Sequence, residues 1–170
     1  MNQMRPGERA HGAPRLNETM GVLLGHRSIR AYTDEPLPDE VLGQVLDAAQ
    51  AVPNWVNLQH VSIVVVRDPA RRARFAELCG GQRQVAQAPV FLVFCGDFYR
   101  TKLAFDKRGQ EFSGVADRLD NLIVAAHEAG IALEAAVVAA ESMGLGTVPI
   151  GDVRLHGLEV VGELGLPEHV

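Results

Sequence analysis

The chain has 170 residues, 47% hydrophobic and 22% charged, which suits one globular domain with a sizeable core and excludes a disordered chain. A formal net charge of -5 gives no electrostatic ground for nucleic acid or an anionic membrane surface as main partner. Cys79 and Cys95 lie in apolar surroundings without C-x-x-C spacing, which argues against a disulfide framework or zinc site and predicts free thiols in a reducing cytoplasm.

Residues 1–15 mix Gly, Pro, Arg and His without periodicity and read as a mobile tail, leaving 16–170 as a single domain. His26-Arg27-Ser28-Ile29-Arg30 then places two guanidiniums, a hydroxyl and an imidazole within five residues. Guanidinium forks match phosphate oxygens bidentately, and Ser and His add donors. The bland alternative is that both arginines decorate the solvated end of a helix.

Pro38-Asp39-Glu40 opens a predicted helix to about Ala51, with an apolar face of Val41, Leu42, Val45, Leu46 and Ala49, ended by Pro53. Val61–Val66 is β-branched and predicts a strand buried on both faces; it is also the longest strongly apolar run, far too short to span a bilayer. With no leading apolar segment, the expectation is a soluble cytoplasmic protein with no membrane partner.

A helix over Ala70–Leu78 closed by Gly80-Gly81, a second buried strand over Val90–Cys95, and an exposed loop or lid over Ala104–Gly114 follow. Asp117–Met143 is the longest predicted helix and is apolar on most sides, so it belongs in a core or between subunits. Thr147–Ile150 reads as a third short strand and Val153–Leu164 as a last helix. Within these elements Trp55 and His127 read as core residues.

The pattern is an α/β mixture with too few strands for a doubly wound sheet. Gly144-Leu145-Gly146 would need glycine at 149 for a dinucleotide fingerprint, and Pro149 stands there. There is no P-loop, G-x-S-x-G elbow or H-E-x-x-H. No catalytic acid, base, nucleophile or metal ligand set is nominated.

Several weak signals occur in register. HRSIRAYTDEPLP, Pro53-Asn54-Trp55-Val56-Asn57-Leu58-Gln59 before a strand, GGQRQVAQAP at 80–89 and AAESMGLGTVPIGDVR at 139–154 together resemble the nitroreductase superfamily of FMN proteins. The likeness is greatest to its NADPH-dependent, oxygen-insensitive nitroreductase and flavin reductase branch, and runs from about residue 17 to the end.

The resemblance implies an α+β fold, three layers α-β-α around a mostly antiparallel sheet, in a homodimer with FMN at the subunit interface. It assigns His26, Arg27, Ser28, Ile29 and Arg30 to the FMN phosphate and ribityl chain, and Asn54, Asn57, Gln59 and Gln82 to flavin contacts. Pro149, Ile150, Gly151 and Asp152 match the segment lining the ring, where backbone N–H groups can reach the flavin and a glycine permits close approach. It implies NADPH as co-substrate, nitroaromatics, quinones or free flavin as acceptors, and ping-pong kinetics with the redox chemistry carried by the cofactor.

The chain departs from the branch in four places. Asn54 stands where the family often has Ser, Asp152 where relatives often have a small neutral residue, and Pro149 lacks an N–H. Members of the branch also continue past the equivalent of Val170 with a further core strand and an extension that helps bind FMN and NADPH. That departure leaves two other readings open: a non-catalytic dimeric remnant that binds flavin or a partner through the long helix, and an inactive fragment of a longer nitroreductase.

Overall fold

The computed structural model of the chain describes residues 17–114 and 118–170; the predicted tail and Asp117 lie outside the described residues. In chain order the elements are α1 (Glu18–Gly25), α2 (Asp39–Gln50), β1 (Val61–Val66), α3 (Pro69–Leu78), α4 (Arg83–Gln87), β2 (Phe91–Gly96), α5 (Tyr99–Lys107), α6 (Leu119–Ser142) and α7 (Gly157–Leu164). Single 3-10 turns lie at Trp55–Asn57 and Asp152–Arg154.

β1 and β2 pair antiparallel, from Val61 opposite Gly96 to Val66 opposite Phe91. Side chains alternate across a strand, so the two-stranded sheet separates two cores. Ile63, Leu92 and Phe94 meet Val45 and Ala49 of α2 and Ala136 and Ala140 of α6. Val64, Val66, Val93 and Cys95 meet Phe75, Leu78 and Cys79 of α3, Val85 of α4 and Val160 of α7. The three α-β-α layers predicted above are present. Gly96 allows the end of β2 to lie against α6, since a Cβ there would stand 2.8 Å from Ala125 Cβ.

Local chemistry explains most element boundaries. Asp68 caps α3 by accepting from Arg71 N at 2.8 Å, with Pro69 in the first turn where its missing N–H costs nothing. Asn17 caps α1 in the same way through Met20 N. Asp39 and Glu40 place negative charge at the N-terminus of α2.

Five expectations need correction. The segment Thr147–Ile150 is no strand but one parallel bridge, Ser28 to Thr147, because Pro149 cannot donate to a ladder. β1 is mostly half-buried, not buried on both faces, since a two-stranded sheet leaves each strand an open edge. The predicted loop at 104–114 begins as helix, α5 continuing through Lys107 before the left-handed Gly109 and Gly114. Trp55 is 51% exposed and not core. His127 is exposed, whereas the buried histidine is His60, at 1%. The reading also missed α1 and α4, two short helices with weak apolar periodicity, and the final helix is interrupted at 155–156.

α6 is, among the described residues, the one helix long and apolar enough to cross a membrane, with mean hydropathy 1.7. Its buried side is instead small and packed within the fold: Ala125, Ala132, Ala136, Val137 and Ala140. The larger Leu119, Leu122, Ile123 and Ile131 are exposed.

Candidate functional site

The predicted site residues fall into two groups. The first forms where the segment after α1 meets the segment after α6. Ile29 N donates to Thr147 O at 2.8 Å, and Gly146 makes this approach possible: a Cβ there would lie 2.7 Å from Ile29 Cγ2. Glu141, near the end of α6, accepts from or pairs with His26 Nδ1 at 2.8 Å and accepts from Thr147 Oγ1 at 2.7 Å. One carboxylate thereby ties both segments to the helix.

Arg27 donates to the His26 carbonyl at 2.6 Å and Arg30 to the Ser28 carbonyl at 3.5 Å. Among the described residues neither guanidinium has a carboxylate partner, and both are exposed beside the exposed Ser28. Two guanidinium forks three residues apart, without carboxylate partners, have the donor chemistry that suits an anion.

Residues 80–82 join the same group. Gly80 and Gly81 both adopt the left-handed conformation, with φ of 75° and 78°, turning the chain sharply after α3. Gln82 then donates through Nε2 to Asp152 Oδ2 at 2.8 Å, and Gln84 donates to Gln82 Oε1. An ionised carboxylate only accepts, so Asp152 fixes which end of the Gln82 amide faces it. Gly151 has an ordinary φ of -78°, and a Cβ there would meet only Arg154 at 3.6 Å. Its lack of a side chain is thus not demanded by the chain's own packing. Ile150 is half-buried against the α3 core, and Pro149 is exposed.

The second group, Asn54, Asn57 and Gln59, lies elsewhere. Its anchor is Glu128, whose Oε1 accepts from Trp55 N at 2.7 Å and Oε2 from His60 N at 2.9 Å. Glu128 and Glu141 are thirteen residues apart on α6, or roughly 20 Å along the axis. The chain therefore does not bring Asn54, Asn57 and Gln59 to the 26–30 cluster. Asn54 Oδ1 accepts from Gln59 N at 3.2 Å, Arg100 donates to the Gln59 carbonyl at 3.0 Å, and Asn57 is exposed. Beside them a cavity of about 340 Å³ is lined by Asn54, Gln59, Ser62, Arg100 and Glu128 against apolar residues of α2 and β1.

His60 is packed between Phe98, with ring centroids 4.5 Å apart, and Trp55, at 6.4 Å. Neither ring nitrogen has a hydrogen-bond partner. Burial pushes its pKa below the ordinary 6.5, against the pull of Glu128 and Asp97. Cys79 is fully buried, and burial together with the Asp152 carboxylate raises its thiol pKa, which disfavours the thiolate form. Cys95 is likewise raised by burial. Both cysteines are free.

Glu128, Glu141 and Gly146 escaped the sequence reading. The glutamates look like the polar punctuation of a surface helix, and only their contacts across 68 to 115 residues reveal their work.

The Nitroreductase family model matches residues 23–170. The chain belongs to that family. Among the similar nitroreductases is an FMN reductase of Bacillus subtilis strain 168, named for NAD(P)H, which is 46% identical over 155 residues. An oxygen-insensitive NADPH nitroreductase of Salmonella typhimurium is 38% identical over 156 residues. In each comparison the match covers 91% of this chain and 62% of the relative. The solved structure of B. megaterium NfrA2 superposes with TM-score 0.88 at 47% identity, again over 91% of this chain and 62% of that one. The chain thus spans about three-fifths of the length of the nitroreductases it matches.

Proposed function

We propose that this nitroreductase is a soluble, cytoplasmic FMN-dependent oxidoreductase passing reducing equivalents from NADPH to nitroaromatics, quinones or free flavin. The observation that carries the reading is the pair of carboxylate-free guanidiniums, Arg27 and Arg30, fixed beside the 146–152 segment by the Ile29–Thr147 bond. The names of the B. subtilis and S. typhimurium relatives support the cofactor and the donor.

The donor set fits FMN. Arg27, Arg30 and the Ser28 hydroxyl would hold its phosphate, with the His26 ring braced by Glu141 behind them. Gln82 and the 149–152 segment would border the flavin ring; the backbone N–H groups of Ile150 and Gly151 remain as donors where Pro149 has none. When bound, FMN supplies the hydride and electron chemistry, and the protein supplies binding, orientation and electrostatics. Since one site receives donor and acceptor in turn, the kinetics are ping-pong.

The working form is a homodimer. Two halves of a site roughly 20 Å apart along α6 can meet only if a second copy supplies one of them. A two-fold interface along α6 would cover exposed Leu122 and Ile123 and bring Asn54, Asn57 and Gln59 of one protomer to the 26–30 cluster of the other.

The test is a visible absorption spectrum of the 170-residue protein with added FMN, before and after anaerobic NADPH. A bound-flavin spectrum that bleaches supports the proposal. A protein that takes up no FMN overturns it for this chain.

A further inference from the structure

The 54–59 loop has an unusual backbone. Val56, Asn57 and Gln59 all lie in the left-handed region, with φ of 44°, 58° and 53°. A single Asn there is common, but a β-branched Val is a true outlier, and three within four residues make a strained segment. Packing does not hold it, because Trp55 and Val56 are 51% and 66% exposed. Hydrogen bonds do. The two oxygens of Glu128 each take one end of the loop, Trp55 N at 2.7 Å and His60 N at 2.9 Å, while Asn54 Oδ1 closes it from within.

Glu128 is only 4% exposed. Two backbone N–H groups converge on it, and a carboxylate is the side chain that accepts from both; an amide would turn one donor against another. A carboxylate buried on backbone donors, holding a strained and exposed turn, is an expensive arrangement for stability alone, and such strain concentrates where a site must be shaped in advance.

We infer that Glu128 is a positioning residue of the flavin site, acting through the 54–59 loop to set Asn54, Asn57 and Gln59 before FMN arrives. This rests on the FMN reading above. α6 then serves as a spacer with a glutamate at each half-site: Glu141 fixes the 26–30 side and Glu128 the 54–59 side.

The test compares wild type, Glu128→Gln and Glu128→Ala, each freed of flavin, by fluorescence titration with FMN well below the thermal midpoint of each. Hydrogen exchange of the Trp55 and His60 amides is followed in the same proteins without FMN. The expected result is a graded loss of affinity, smaller for Gln, which keeps one acceptor, and at least about tenfold for Ala. Both amides should exchange faster in step with that loss, and the visible bands of FMN at saturation should shift. Should Ala not fold, the Gln variant alone decides. Folded variants that bind FMN as tightly as wild type, with unshifted bands, overturn the inference whatever their stability. Wild type that binds no FMN overturns the underlying functional reading instead.

Discussion

The two faces of the β1–β2 sheet are built differently. On the α3–α4–α7 side, Phe75 and Cys79 are fully buried and Val66 nearly so, and Phe91 packs against Phe75 with centroids 5.5 Å apart. On the α2–α6 side the buried contacts are mostly alanines, and Leu119, Leu122, Ile123 and Ile131 of α6 are exposed. The first face closes on residues of the chain itself. The second leaves exposed apolar area on α6, which the homodimer proposed above would cover.

Truncating the complete face should do the greatest damage to folding. Phe75→Ala removes a fully buried ring with no solvent to fill the void, and should cost about 3–5 kcal/mol in denaturant unfolding. A loss below about 1 kcal/mol would mean that this core is much looser than its burial implies. The matching change on the other face, Leu122→Glu, should leave helix content and monomer stability nearly unchanged, because Leu122 is 62% exposed. It should instead raise the dimer dissociation constant at least about tenfold in analytical ultracentrifugation, and weaken FMN binding with it. A dimer unaffected by this change would place the interface elsewhere.

Gly146→Ala probes the junction between the 26–30 and 146–152 segments. Its Cβ would stand 2.7 Å from Ile29 Cγ2 and 2.9 Å from Ile29 Cβ, so the 26–30 segment must retreat. The expected cost is about 1–3 kcal/mol in stability, with loss of FMN affinity. Arg27→Ala should separate the two effects, since an exposed guanidinium bonded only to its neighbour's carbonyl contributes little to folding. FMN affinity should fall about tenfold while the thermal midpoint stays put. An unchanged FMN affinity would remove Arg27 from the phosphate site.

Much of the fold is legible in the sequence itself. The two strands, α2, α3 and α6 are long or strongly patterned, while the HRSIR cluster by its composition alone offers only a candidate phosphate site beside the alternative of a solvated helix end. What escaped depends on contacts far apart in sequence. Glu128 and Glu141 gain their meaning from loops 68 and 115 residues away. Thr147–Ile150 has strand-like residues, but Pro149 removes the donor that a ladder needs. Trp55 was assigned to the core on hydrophobicity, while the left-handed turn at Val56 and Asn57, which no local pattern predicts, carries it outward.

The smallest expected effect is a pH dependence centred on His60, which immediately precedes β1 and packs against Phe98. Its ring is buried among Phe98, Trp55, Glu128, Asp97 and Arg100, and burial holds its folded pKa below the ordinary 6.5. The unfolded chain therefore binds a proton there more readily than the folded one. Stability from this group is full above about pH 6.5 and declines as pH falls from there through the lowered folded value. Glu128 and Asp97 pull the pKa back up and limit the effect, while Arg100 adds to it. The urea midpoint of wild type should thus drop between pH 7.5 and 5.5 by more than that of His60→Phe, whose ring cannot take a proton. Equal drops in the two proteins would assign the acid sensitivity to other groups and leave His60 a packing residue alone.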